Sequence, residues 1–465
     1  MNLDIIILAA GKGTRMHSQL PKALQPLAGT TLLEHVVNIA KSLHPQKIHV
    51  VYGSGRKQID EQLGHLDVNW VFQSEQLGTG HAVMQALPHI AVDSSVLILY
   101  CDVPLISNAT LKLLLDKLHT HSLAIITTAL KDPSHFGRII RDAQGKITGI
   151  VEHKDASNSE LQINEINSGI FAGSAETFKK YLAKIQPQNA QGEYYLTDII
   201  KLAANDKLEI AAIKTDDHDE ILGVNDKVQL SNLERLYQQK IAQELMRQGL
   251  TLLDPNRFDV RGDLKIENDI TVDANVVIEG AVSIGAFSKI GPNVLLKNVK
   301  IGKHVEVRAN SVIEGAIIND NCVVGPFARI RPDSVLAKES HVGNFVEIKN
   351  TKLGEGSKAN HIAYIGDAII GAKVNIGAGV ITCNYDGANK YQTQIEDGAF
   401  IGSDSQLIAP VKIGKNAYVG TGSTITHNVP ENKLTLARAR QVTLEQWEKP
   451  VKGKLKTPKE KLTNE

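Results

Sequence analysis

Three groups of residues in this 465-residue chain have types and spacings suited to phosphate or amine chemistry. The first is Ala10-Gly11-Lys12-Gly13-Thr14-Arg15-Met16, followed by Leu20-Pro21-Lys22. Glycines let consecutive backbone N–H groups converge on an anion, and Arg15 and Lys22 add charge that suits a triphosphate. A dinucleotide-binding turn wants a third glycine at position 16, where methionine stands, and a Walker loop wants Gly-Lys-Ser/Thr, which is absent. The second is Asp102, directly after the apolar run Val96–Cys101. Ligands collect at strand carboxyl ends in open parallel sheets, and an aspartate there suits Mg²⁺, which takes one or two carboxylates and completes its shell with substrate phosphates. Taken alone, an aspartate after a strand is more often a cap or turn residue. The third is Arg331, Lys349 and His361. A neutral imidazole with a pKa near ~6.5 can take a proton from an amine nucleophile. With 16 histidines in the chain, position alone gives His361 little weight, and the two cations by themselves also fit solvated surface charges.

The elements that must position these groups fall into two regimes. In the first half, Leu3–Ala9, Ile48–Tyr52, Val68–Phe72 and Val96–Cys101 read as buried strands, with helical patterns at Leu32–Leu43 and His81–Leu87 between them. Such alternation predicts an α/β, Rossmann-like, mostly parallel sheet covered on both faces, extending to about Gly223. Residues 225–249 then read as one connecting helix, with Val228, Leu233, Leu236, Tyr237, Ile241 and Leu245 at roughly helical spacing.

The second half has a period of six. Stepping from Leu264 to Ile348 in sixes gives fifteen positions, of which twelve are Leu, Ile or Val, against about six expected from the 42% hydrophobic content. Pairs such as Ile284-Gly285, Ile301-Gly302, Val342-Gly343 and Ile413-Gly414 punctuate the region. This pattern predicts a hexapeptide-repeat parallel β-helix, each hexad giving a short strand, a corner and one inward apolar side chain. A β-sandwich would show period two and turns every 8–12 residues instead. Three hexads make a coil, so the 18-residue step from Arg331 to Lys349 places the two cations on neighbouring coils, suited to one phosphate. Between Ile376 and Ile401 the step is 25 rather than 24, so Cys383–Gln394 is expected to leave the prism as a loop.

These readings give residues 1–224 as a domain of alternating strands and helices, 225–249 as a helical linker, 250–440 as the β-helix and 441–465 as a basic, disordered tail. Formal net charge is +0 with 22% charged residues, which implies no general attraction to nucleic acid or membrane. Three widely spaced cysteines, Cys101, Cys322 and Cys383, form no disulfide or metal framework, and the short apolar start lacks the features of a leader or a span. Both fit a cytoplasmic protein. No flanking pattern activates Cys322 or Cys383, so both read as packing or loop residues rather than acyl carriers.

The string Leu-x-x-Gly-x-Gly-Thr-Arg then Pro-Lys, from Leu8 to Lys22, resembles the signature of sugar-1-phosphate nucleotidyltransferases. Over nearly all of residues 1–440 the chain resembles one family, the bifunctional N-acetylglucosamine-1-phosphate uridylyltransferase/glucosamine-1-phosphate acetyltransferases. The resemblance rests on Gln73, Gly78-Thr79, Tyr100-Cys101-Asp102, Gly137, Glu152, Asn167, Asn225, the string Asn189–Asp198, and His361–Gly387.

The resemblance implies a nucleotidyltransferase fold followed by a left-handed parallel β-helix. It implies that UTP and UDP-N-acetylglucosamine contact Leu8, Ala9, Ala10, Gly11, Lys22, Gln73, Gly78, Thr79, Tyr100, Asp102, Gly137, Glu152, Asn167 and Asn225. Within that set Gln73 and Gly78 read uracil, Glu152 and Asn167 hold the sugar, and Asp102 and Asn225 hold Mg²⁺. In the implied reaction a sugar phosphate oxygen attacks the α-phosphorus of UTP in line and releases pyrophosphate, with Lys22 and Arg15 neutralising charge. In the second half the resemblance makes His361 the general base, oriented by Glu347. Glucosamine 1-phosphate would be held by Arg331, Lys349, Tyr364 and Asn375, and acetyl-CoA by Ala378, Asn384, Tyr385, Ser403, Thr421 and Arg438. A homotrimer with acetyl-transfer sites between neighbouring chains, and a place in cell-wall precursor synthesis, are implied in the same way. Cys101 stands where the family has glycine, and Thr421 where it has alanine. A single-activity sugar nucleotidyltransferase with a structural or regulatory β-helix is the alternative, and it leaves the Arg331, Lys349 and His361 set unexplained.

Overall fold

The computed structural model describes residues 2–11, 13–53, 55–447 and 449–453. About half of the expected tail, residues 454–465, lies outside the described residues. The chain divides into two compact units, residues 1–327 and 328–465. That division falls within the strand-rich half and not at the expected connecting helix, although the change from sheet-and-helix to coiled strands does occur near residue 250.

The first unit opens with a twisted sheet. Across it the strands run Ala211–Lys214, Leu123–Ala129, Glu165–Ser174, Ser95–Tyr100, Leu3–Ala9, Lys47–Tyr52 and Asn69–Phe72. Leu3–Ala9 is parallel to both of its neighbours, and Glu165–Ser174 is the antiparallel member. Leu3 to Leu8 are all buried, because helices cover both faces of the sheet. Helix Leu32–Lys41 starts at an N-cap: the Thr31 hydroxyl accepts a hydrogen bond from the Glu34 amide at 3.1 Å.

Helix Lys227–Arg247 matches the expected 225–249 segment but is packed differently. Val228 is 69% exposed, whereas Gln238 and Ala242 are buried. The Gln238 carboxamide pairs with the backbone N–H and C=O of Val260, at 2.8 and 2.9 Å, and so fastens the helix to the strand Phe258–Ile266. From there parallel strands stack coil on coil up to Val323–Val324.

The second unit continues the same construction from Arg329–Ile330 to Leu434–Thr435. The β-helix differs from the simple six-residue expectation in two ways. Each edge turns two side chains inward, as in Ser311 with Ile313, Ser340 with Val342, and Ala368 with Ile370. Many coils also have 17 residues, as the partners Ile301 and Ile318 or Ile348 and Ile365 show. The five-residue step from Leu296 to Ile301 shifts the sixfold series, and that is why Lys300 falls on it as an exposed residue. Corner residues take positive φ, and many are Asn or Asp, including Asn275, Asn293, Asn310 and Asp367. These types tolerate left-handed backbone better than other non-glycine residues. The expected loop is present: strand Ile381–Cys383 is followed by strand Thr393–Ile395, and between them Tyr385 and Lys390 form an isolated antiparallel bridge.

Candidate active sites

In the first unit, strand Leu3–Ala9 delivers the glycine loop and strand Ser95–Tyr100 delivers Asp102, both from carboxyl ends. A cavity of about 420 Å³ lies there. Its walls include Leu8, Ala9, Ala10, Gly11, Arg15, Lys22, Gln73, Gly78, Thr79, Tyr100, Asp102 and Asn225. Gly13, at φ 58°, lets the loop lie against Lys22, since a Cβ there would come within 3.0 Å of the Lys22 Cβ. Gly78 has φ 113°, and a Cβ would sit 2.6 Å from the Tyr194 carbonyl oxygen, so only glycine fits.

The Gln73 carboxamide is held in place by donating to the Gly78 carbonyl at 3.3 Å and to His81 Nδ1 at 2.9 Å. Burial pushes the Tyr100 hydroxyl well above its usual range and the Cys101 thiol up to about 12, with the Asp102 carboxylate adding to both shifts. The cysteine that replaces the expected glycine is therefore a neutral, buried wall residue.

A second cavity, of about 290 Å³, is lined by Gly137, Glu152, Asn167, Gln191, Tyr195 and Thr197. Thr79, Tyr100, Asp102, Glu193 and Asn225 line both cavities, so the two adjoin at Asp102 and Asn225. Glu152 accepts from the Thr197 hydroxyl at 3.0 Å, and burial, helped by Asp155 and Asp198, raises its carboxyl pKa against that hydrogen bond. At the junction the Lys22 ammonium donates to the Asp102 carboxylate and to Asn225 Oδ1, the latter at 3.1 Å. Asn225 arrives there because Val224 donates its N–H to the Asp102 carbonyl at 3.0 Å, while Gln229 Oε1, in the helix that follows, accepts from the Asn225 amide at 2.7 Å.

The second unit gathers a different set. The long strands His341–Lys349 and Lys358–Gly366 bend round one corner of the prism, and their register pairs Asn344 with His361. One coil of 17 residues above His361 stands Ala378, as the Lys358–Asn375 and Tyr364–Ile381 pairs require. Ser403 follows after the 25-residue looped coil and Thr421 after a further 18. Arg438 closes the column by donating to the Thr421 carbonyl at 2.8 Å. His361, Ala378, Ser403 and Thr421 therefore climb a single corner, and the Arg438 side chain bonds to its last member.

Beside that corner, Arg331 and Lys349 stand on neighbouring coils, with the Arg331 N–H donating to the Ile348 carbonyl at 2.8 Å. Tyr364 lies next along, paired with Glu347 in register. Asn375 is on the preceding edge, so the corner separates it from Arg331 and Lys349. Glu347 does not orient His361 within the chain: its carboxylate is paired with Arg331 at 2.9 Å. The side chain that meets His361 is Asn344, whose Oδ1 lies 3.2 Å from Nδ1. Asn384 is buried against Asp367, while Tyr385 is 60% exposed on the loop. Cys322 is buried and Cys383 half-buried, with burial raising the Cys383 thiol.

Several residues at these sites were not singled out by the sequence reading. His81 and Gln76 carry no motif of their own. Glu193 and Thr197 sit inside the Asn189–Asp198 string, where the resemblance marked the string but not their roles. Asn344 could have been found by subtracting one 17-residue coil from His361.

The family described as the MobA-like NTP transferase domain matches residues 5–157. The GMPPB C-terminal domain matches 260–352, and the bacterial transferase hexapeptide, in six repeats, matches 392–427. A Methylococcus capsulatus protein called bifunctional protein GlmU is 51% identical over 455 residues, spanning 98% of this chain and 99% of its own. The chain belongs to the GlmU family. GlmU proteins of Acinetobacter baylyi and Pseudomonas entomophila are 53% and 52% identical over 454 residues, in each case 98% of this chain and 100% of theirs. As a GlmU-type protein the chain is a bifunctional enzyme, with a nucleotidyltransferase half and a hexapeptide-repeat acyltransferase half. No helix among the described residues is long and apolar enough to cross a membrane.

Proposed function

We propose that this chain makes UDP-N-acetylglucosamine in two steps. The β-helix unit transfers the acetyl group of acetyl-CoA to glucosamine 1-phosphate, and the sheet unit then joins N-acetylglucosamine 1-phosphate to UTP with release of pyrophosphate. The observation that carries this reading is the junction of the two sheet-edge cavities at Lys22, Asp102 and Asn225. A nucleotide in the first cavity and a sugar phosphate in the second would meet at that point.

Uridylyl transfer needs position and charge more than covalent help. Gln73 and the Gly78 backbone face the base. Gly137, Glu152 and Asn167 hold the sugar, and Arg15 and Lys22 neutralise the phosphates. A sugar phosphate oxygen forms the new bond to the α-phosphorus as the bond to pyrophosphate breaks. Asp102 Oδ2 and Asn225 Oδ1 converge on one cation, the Lys22 ammonium, and no larger cluster of His, Cys, Asp or Glu suited to a metal occurs among the described residues. Two hard oxygens at one point fit Mg²⁺, which takes few protein ligands when phosphates complete its shell. When bound there it would supply charge stabilisation to the transferring phosphoryl group.

In the β-helix, Arg331, Lys349 and Tyr364 would hold the sugar phosphate, with Asn375 across the corner. Ala378, Ser403, Thr421 and Arg438 offer acetyl-CoA a continuous column that ends at His361, with Asn384 and Tyr385 beside it. The sugar amine attacks the thioester carbonyl, its proton passes to Nε2 of His361, and the C–S bond breaks to release CoA. Asn344, accepting from Nδ1, would leave Nε2 unprotonated to act as the base. Phe345 and Ile362, next to that corner, are 58% and 60% exposed, and a neighbouring copy would cover them. We take the assembly to be a homotrimer with shared acetyl-transfer sites, working in the cytoplasm on cell-wall precursors.

The test is to assay both half-reactions on the purified protein. CoA should appear from acetyl-CoA plus glucosamine 1-phosphate without UTP, and pyrophosphate from UTP plus N-acetylglucosamine 1-phosphate without acetyl-CoA. Absence of the first product alone would favour the single-activity nucleotidyltransferase.

A further inference from the structure

Asp367 occupies the next corner of the second unit, with φ at 50° and 9% exposure. Both of its carboxylate oxygens are used. Oδ1 accepts from the Asn350 carboxamide at 2.6 Å on the coil below, and Oδ2 accepts from the Asn384 carboxamide on the coil above. Its backbone N–H donates to the Lys349 carbonyl at 3.0 Å, and its own carbonyl accepts from Thr393, where the excursion returns to the prism. Gly366 beside it leaves room for two neighbours: a Cβ there would lie 2.5 Å from the Tyr364 hydroxyl and 2.9 Å from Asn384 Nδ2. Burial acts to protonate Asp367, but the two carboxamides and the ammoniums of Lys349 and Lys390 outweigh it and hold the carboxyl below its usual range. This buried anion thus touches or faces Lys349 of the sugar-phosphate group and Asn384 and Lys390 of the excursion.

We propose that Asp367 is a positioning residue that couples the two substrate subsites of acetyl transfer. It fixes the root of the 384–392 loop through Asn384 and aims Lys349 through charge. This rests on the acetyl-transfer reading given above. An ionised acceptor serving two donors is worth more than a neutral one, and its replacement by a carboxamide leaves a donor facing a donor on one side.

The experiment measures KM and kcat for acetyl-CoA and for glucosamine 1-phosphate in the full-length protein and in Asp367→Asn. Both KM values should rise about tenfold or more, the scale of one lost hydrogen bond to a charged group. The kcat should fall less than about threefold, and uridylyl transfer should not change. Asn350→Ser, which removes one donor while leaving the carboxylate, should raise both KM values in the same direction by a smaller factor. It replaces Asp367→Asn as the test if that variant does not fold. Unchanged KM values in a folded variant, or a loss confined to kcat, would overturn the coupling. If the parent protein itself released no CoA, the acetyl-transfer reading would fail rather than the role of Asp367.

Discussion

Lys22 and Asp102 form an ion pair where the two cavities of the first unit meet, with Asn225 completing the contact. The side chains are only 13% and 17% exposed, so salt screens this pair less than a surface bridge. Removing either partner leaves a partly buried charge without its counterion. Lys22→Ala should lower pyrophosphate release by about a hundredfold or more, the scale lost with one electrostatic contact to a developing charge. CoA release should be unaffected, and parallel turnover assays check both.

In the proposed sugar-holding role, Glu152 would make binding sensitive to acid. Its raised pKa means that the ionised form, the one that would accept a sugar hydroxyl, is lost at a higher pH than for an exposed glutamate. KM for N-acetylglucosamine 1-phosphate should therefore climb as pH falls, starting at a higher pH than an exposed glutamate would require. Glu152→Gln should bind about tenfold more weakly at neutral pH and lack that climb. The stability effect has the opposite sign. A carboxyl whose folded pKa is raised opposes folding while ionised, and this penalty is relieved as pH falls through the folded pKa. Glu152→Gln should therefore melt at or above the parent temperature near neutrality.

Asn344 tests the assignment of the base. If its Oδ1 holds the His361 tautomer, Asn344→Ala should lower kcat for acetyl transfer by about tenfold with little change in KM. A drop of similar size in pyrophosphate release would point to general damage instead.

Two residues of the first cavity differ in consequence. Cys101 is buried and its thiol is pushed up to about 12, so it should resist a maleimide or Ellman's reagent in the native protein and react only after denaturation. Gly78, by contrast, tolerates nothing larger. Gly78→Ala should cost about 1–3 kcal/mol in backbone strain and further overlap with Tyr194, and a lower melting temperature and a weakened UTP KM would both report it.

Much of this arrangement is legible in the amino-acid sequence. The run Leu3–Ala9 is a strand to the residue, because a segment covered on both faces is apolar at nearly every position, here at all but Asp4, which is buried beside His49. The hexapeptide series located the β-helix and its loop, because the corner geometry repeats. Contacts made far along the chain could not be read from spacing. Nothing near Asp102 shows that Asn225 will reach it; that meeting depends on the Val224 hydrogen bond and on the start of the long helix. The resemblance implies Glu347 as the partner of His361, whereas within one chain the 17-residue coil sets Asn344 beside the imidazole and Glu347 pairs with Arg331. Of the expected apolar face of the long helix Leu233 and Leu245 are buried and Val228 is not, and the helix also buries Gln238, whose carboxamide serves the backbone of Val260.

The separation of two chemistries is the central claim, and crossed single variants test it most directly. Asp102→Ala and His361→Ala are each assayed for pyrophosphate and CoA release in folded protein. The account predicts that Asp102→Ala loses about a hundredfold or more of the first activity and keeps the second, and that His361→Ala does the reverse. Equal loss of both activities in either variant would contradict it.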